Sequence, residues 1–203
     1  MTIDRVHDLQ SAFRKLISAH ARPGTIVNLG PEAGKIGDDA GFAPEFLLIA
    51  LTLLDGETAF AVSSGDPDAF ATAVSALTYA PRGTVETAAF VFVPDADADT
   101  NAVIGSCSPG TLLDPHLGST VILGARDILG AGDVHDAESL SLRGPGIRGS
   151  AECAVVRGGE WLAGRNAKNA EYPLGVDVIF VTPAGKAVAF PRTTIITEKR
   201  GGS

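Results

Sequence analysis

Segments patterned as strands and segments patterned as helices alternate from one end of this chain to the other. That order restricts the fold to a layered α/β arrangement around a mixed β-sheet flanked by helices. Val6, Leu9, Phe13, Leu16 and Ile17 recur at helical spacing until Arg22-Pro23-Gly24, so an amphipathic helix is expected over 4–21. A short strand over 25–29 and a Gly-rich loop over 30–41 follow. Pro44 suits the first residue of a second helix, and Asp55-Gly56 turns the chain toward a strand over 58–63. Asp66 can cap a third helix, with Pro67 as its first residue and Phe70, Val74 and Leu77 as its apolar stripe. Strands are expected over 88–93, 120–125, 138–143 and 151–156, and a further helix over 159–169. The best-formed hairpin joins 176–181 to 187–190 through Pro183-Ala184-Gly185-Lys186, where glycine supplies positive φ. No internal repeat or linker divides the chain, so one α/β domain is expected over 1–197, with a flexible tail over 198–203.

Composition then removes whole classes of function. A chain of 203 residues buries roughly 70% of its unfolded surface and needs no disulfide or metal staple. The net charge of −8 argues against nucleic acid, because phosphate-backbone binding needs a basic footprint. It also argues against anionic membranes. The longest uncharged apolar run, Phe46 to Leu54, falls far short of the ~20 residues that span a bilayer. Met1-Thr2-Ile3-Asp4-Arg5 has neither the basic start nor the apolar core of a signal peptide. Cys107 and Cys153 are too isolated for a disulfide framework or a zinc site. The expected compartment is the cytoplasm.

Several motifs resemble chemistry and fail on inspection. Gly144-Pro145-Gly146-Ile147-Arg148-Gly149 matches the dinucleotide fingerprint in letters, but a strand follows it where a helix is required. A glycine turn between two strands is the reading. Gly34-Lys35 lacks the glycine spacing and the hydroxyl residue of a phosphate loop. Asp95, Asp97 and Asp99 open like a calcium loop, yet Thr100 and Ser106 occupy the positions that need Gly and Glu, so a solvated acidic turn is expected. His7, His20, His116 and His135 show no metal-ligand spacing. Cys107 would need a histidine delivered by the fold to act as a nucleophile.

One segment carries a sharper possibility. Asp177 sits in an otherwise apolar strand, where an unpaired charge is expensive, and Arg192-Thr193-Thr194 follows the partner strand. Two readings stand: an ion pair or backbone-capping Asp that fixes the hairpin, or an anion site built on Asp177, Arg192 and Thr193. A guanidinium fork beside hydroxyls suits phosphate or phosphonate.

The same hairpin carries a family resemblance. Tyr172-Pro-Leu-Gly-Val-Asp-Val-Ile-Phe-Val181 and Ala187-Val-Ala-Phe-Pro-Arg-Thr-Thr194 resemble the C-terminal signature of PhnH, a subunit of the bacterial carbon–phosphorus lyase system. Phe13-Arg14, Pro23-Gly24, Leu51-Thr-Leu-Leu-Asp55, Gly110-Thr111 and Leu142-x-Gly144-x-Gly146-Ile147 follow in the family's order. The resemblance implies a fold similar to the large domain of pyridoxal-phosphate-dependent transferases, without the cofactor. The lysines at 15, 35, 168, 186 and 199 have no evident Schiff-base setting. It further implies association with the G, I and J subunits and support for transfer of alkylphosphonate onto the ribose of ATP. Apart from the resemblance, a homodimer in isolation is expected, since a lone subunit can pair through the surface reserved for its partners. No catalytic residue is carried over. The competing readings are a scaffold subunit, an enzyme with its site near Asp177 and Arg192, and a free-standing binder of phosphonate or nucleotide.

Overall fold

The structure is a computed structural model that describes residues 1–37, 42–63, 67–131 and 139–199. Its centre is a six-stranded sheet in the order β1-β9-β8-β4-β3-β2. The strands are β1 (Val27–Asn28), β2 (Phe60–Val62), β3 (Phe90–Val93), β4 (Thr120–Gly124), β8 (Asp177–Val181) and β9 (Lys186–Phe190). β2, β3, β4 and β8 run parallel, while β9 is antiparallel to both β8 and β1, so the sheet is mixed as its sequence implies.

These strands are nearly continuous apolar runs because both faces of the sheet are covered. Ile122, Ile179, Phe92, Ala187 and Ala189 face one core, shared with α1 (His7–Ala21), α3 (Pro44–Leu53) and α4 (Pro67–Thr78). Their neighbours Val121, Leu123, Val178, Phe180, Val188 and Phe190 face the other. Pro44 and Pro67 open α3 and α4, where a missing N–H costs nothing. Asp66 lies outside the described residues. Gly185, at φ 78, occupies the positive-φ position of the hairpin turn and donates to the Thr182 carbonyl.

The second core reveals what sequence did not supply. The strands over 139–143 and 151–156 do not join the mixed sheet. They form a separate antiparallel sheet, in the order β10-β6-β7-β5. Its strands are β5 (Asp127–Gly130), β6 (Ser139–Arg143), β7 (Ala151–Val156) and β10 (Ile195–Lys199). Local patterning identifies a strand but not its partner, and β5 and β10 are unannounced. β10 also takes in Glu198 and Lys199, two residues expected in the flexible tail. Gly144, Gly146 and Gly149 turn the chain between β6 and β7, as expected of a glycine turn.

Smaller differences have local causes. The Gly-rich stretch begins as a helical turn, α2 (Gly30–Ala33), with Pro31 near its start. Residues 101–106 form the helix α5 (Asn101–Ser106), and the expected helix over 159–169 contracts to α6 (Leu162–Lys168). Pro115–Leu117 is a turn of 3₁₀ helix. No helix among the described residues is long and apolar enough to cross a membrane.

Two ion pairs tie α1 to the α2 region. Lys15 Nζ donates to both oxygens of buried Glu32 at 2.7 Å, and Lys35 Nζ donates to Asp8 at 2.6 Å. Burial alone would raise the Glu32 pKa, but the Lys15 and Ser11 hydrogen bonds outweigh it and leave it lowered. The Lys35 hydrogen bond, helped by the Asp4 backbone N–H, lowers Asp8. A carboxyl group depressed in the folded state stabilises above its unfolded pKa, and the benefit is lost as pH falls through the folded value. Stability should therefore decline on acidification below about pH 4. Asp8→Asn should flatten that limb in urea titrations taken at stepped pH. An unaltered acid limb would contradict the assignment.

Candidate functional site

Asp177 opens β8, and its register partner across the parallel strands is Thr120, which in turn faces Phe90 and then Phe60. The row lies at the amino ends of the parallel strands. In open α/β sheets ligands usually bind outside the opposite, carboxyl ends. Arg192 follows β9 and returns to the same place.

Every nitrogen of the Arg192 guanidinium has a partner there. Its Nη2 donates to Asp177 Oδ2 at 2.7 Å and to the Gly118 carbonyl at 3.3 Å, and Nη1 donates to the Pro115 carbonyl at 2.7 Å. Nε faces both carboxylate oxygens at 3.3 Å, and the Arg192 backbone N–H donates to Asp177 Oδ1 at 2.6 Å. Asp177 thus pairs the guanidinium and caps the backbone together. Both side chains are largely buried, 15% and 13% exposed. A Cβ on Gly118 would collide with the guanidinium and with the Gly175 carbonyl, so glycine is what admits the arginine.

Thr193 does not complete the pair. Its hydroxyl makes no hydrogen bond among the described residues, and its carbonyl lies against Gly144. Pro191 to Thr194 is a turn closed by the Thr194 N–H to the Pro191 carbonyl at 2.9 Å. Thr194, rather than Thr193, is buried, at 2% exposure. It lines a polar cavity of about 240 Å³ with Arg165, Asn166, Asn169 and Arg192.

The acidic turn is closed by arginines. Arg126 pairs with Asp97. Arg157 donates to the Ala98 carbonyl and to the Thr100 hydroxyl, each at 3.0 Å, and stands over the Phe180 ring. Burial lowers the Arg157 pKa, and the charges of Asp95, Asp97 and Asp99 act in the opposite direction. No cluster of three metal-binding side chains occurs among the described residues. His135, with Asp133 and Asp136, lies outside them.

Neither cysteine is activated. Burial pushes the Cys107 thiol up to about 11 and the Cys153 thiol up to about 12, so both stay protonated at neutral pH. Each lysine amine is engaged: Lys15 with Glu32, Lys35 with Asp8, Lys186 with Asp127, Lys199 with Glu152, and Lys168 with the Gly105 carbonyl.

A second opening is apolar. Phe13 and Ile17 stand four residues apart on α1, 45% and 50% exposed. With Leu16, Leu53, Phe90 and Ile179 they line a groove of about 280 Å³.

Sequence reasoning missed Arg165, although Thr194 stood in the Arg192-Thr193-Thr194 segment it singled out. An arginine in a short helix reads as a solvated residue, and nothing local marks it as buried.

Comparison with known proteins gives a consistent assignment. A family model described as bacterial phosphonate metabolism protein (PhnH) matches residues 2–197. HtxG of Stutzerimonas stutzeri, whose name describes it as a C-P lyase subunit protein, is 33% identical over 194 residues. That match takes in 94% of this chain and 86% of HtxG.

Proposed function

The chain belongs to the PhnH family of bacterial phosphonate metabolism proteins, and from that premise we propose that it is an accessory subunit of a carbon–phosphorus lyase core complex. In this role it assists transfer of alkylphosphonate to the ribose of ATP, in the cytoplasm, in company with the G, I and J subunits. The observation that carries the reading is the family match along nearly the whole chain, joined by a relative named as a lyase subunit.

The geometry supports an accessory role over a site at Asp177 and Arg192. Every nitrogen of that guanidinium already has a partner and only one Nη1 N–H stays unspent, so an anion gripped by the guanidinium fork would have to displace Asp177 or a carbonyl. The pair therefore acts as a structural clasp between the hairpin and the Pro115–Leu117 turn. A fold derived from pyridoxal-phosphate transferases, with the cofactor chemistry gone, belongs to the same reading. Its support is the mixed sheet with its helical layer and the engagement of every lysine.

The groove on α1 receives an apolar side chain of a partner lyase subunit. A subunit needs a contact surface. Phe13 and Ile17 leave two large apolar side chains half in water, each able to contribute about 1–2 kcal/mol when covered. Ile17→Asp should leave the thermal midpoint of the isolated chain near its starting value and reduce co-elution with the partner subunits about tenfold or more. Undiminished co-elution would overturn the assignment. If the variant instead only splits a homodimer, the groove serves a second copy.

A further inference from the structure

We propose that the cavity between α6 and the turn joining β9 to β10 is a binding site for a small tetrahedral oxyanion of phosphorus, held by Arg165 and Thr194. Arg165 is 2% exposed, yet no carboxylate among the described residues lies within ion-pairing distance of it. Its Nη1 donates to Asn166 Oδ1 at 3.1 Å and its Nη2 to the Pro191 carbonyl at 2.7 Å. Its Nε is buried without a hydrogen-bond partner among the described residues, and so is the Thr194 hydroxyl. Both residues line the same cavity of about 240 Å³.

Buried polar groups in folded proteins are nearly always satisfied, and each exception calls for a cause. Two orphaned groups on one cavity point to a missing acceptor between them. Water could satisfy the hydrogen bonds but not the charge, and a buried guanidinium without a counter-ion is unfavourable. Burial draws the Arg165 pKa down to about 10, with the charge of Asp177 opposing the shift. Among the described residues, no carboxylate lines the cavity to take that role.

The remaining walls also donate. Asn166 Nδ2 spends one N–H on the Ile196 carbonyl at 3.2 Å, and Asn169 Nδ2 spends one on the Val176 carbonyl at 3.0 Å. Each amide keeps a second N–H. Arg192 adds positive potential, with Asp177 and two carbonyls taking its donors except for one Nη1 N–H. A compact anion with several acceptor oxygens matches this set, and a guanidinium is the side chain that suits phosphorus oxyanions best. The choice of phosphorus among oxyanions rests on the phosphonate-metabolism reading, whereas the site itself rests on the cavity and its orphaned groups.

The test uses the full chain, titrated separately with inorganic phosphate and with methylphosphonate at constant ionic strength held by chloride. Melting temperature and ³¹P line width are followed together. A saturable rise in melting temperature beyond the chloride control is expected. Stronger binding of methylphosphonate would assign the site to a phosphonate, and stronger binding of phosphate would assign it to a phosphate group. Arg165→Met should fold, because it removes an uncompensated buried charge, and should lose the saturable response. Thr194→Val, nearly isosteric, should weaken binding about tenfold and decides the matter if Arg165→Met does not fold. No response beyond chloride, or the same response in the variants, would overturn the site. Co-elution of the variants with the partner subunits reports separately on the accessory-subunit reading, so the two can fail independently.

Discussion

Arg192→Ala is expected to destabilise the chain by on the order of 3 kcal/mol, chiefly by stranding Asp177 as an uncompensated, mostly buried carboxylate. The Pro115 and Gly118 carbonyls lose a donor in the same step. A change of that size should lower the melting temperature by about 6–12 °C in a chain of this length. Adding Asp177→Asn should recover part of the loss. The amide oxygen can still accept the Arg192 backbone N–H at the Oδ1 position, while the stranded charge is gone. Equilibrium urea unfolding at neutral pH measures both variants. If Asp177→Asn made Arg192→Ala worse, the clasp would not be an electrostatic one. An anion site at the same residues predicts the reverse pattern, with stability near wild type and ligand response lost.

Trp161→Ala should cost about 3–5 kcal/mol. Trp161 is 5% exposed at the start of α6. It stacks on Phe190 with ring centroids 5.8 Å apart and meets Phe180 edge-on at 4.7 Å. Those phenylalanines belong to β9 and β8, so the indole joins α6 to the central sheet. Such aromatic contacts add to what area burial alone provides. Removing the ring leaves a cavity that the surrounding strands cannot collapse to fill. Thermal unfolding followed by circular dichroism is the measurement, since this is the chain's one tryptophan and its fluorescence disappears with it. A loss under about 1 kcal/mol would place the residue outside the core.

The parts of the fold legible in sequence are those whose cause is local. β3, β4, β8 and β9 announce themselves because burial on both faces makes them continuous apolar runs. Pro44 and Pro67 mark helix starts because a helix tolerates proline there. β10 is silent for the opposite reason: only Ile196 of its five residues is buried. The division into two sheets was equally hidden, because strand partners are chosen through contacts distant in sequence. The Asp177–Arg192 pair was visible as a charge in an apolar strand. Arg165 was not, since its burial depends on the turn after β9 folding over α6. The family resemblance was legible because its longest signature lies in that same hairpin.

The central claim is that this chain works by assembling with other lyase subunits. Co-expression with candidate G, I and J subunits, followed by size-exclusion chromatography with mass determination, tests it most directly. The predicted result is co-elution in one large complex whose mass includes this chain. Elution of this chain alone, under conditions where the other subunits assemble, would contradict it.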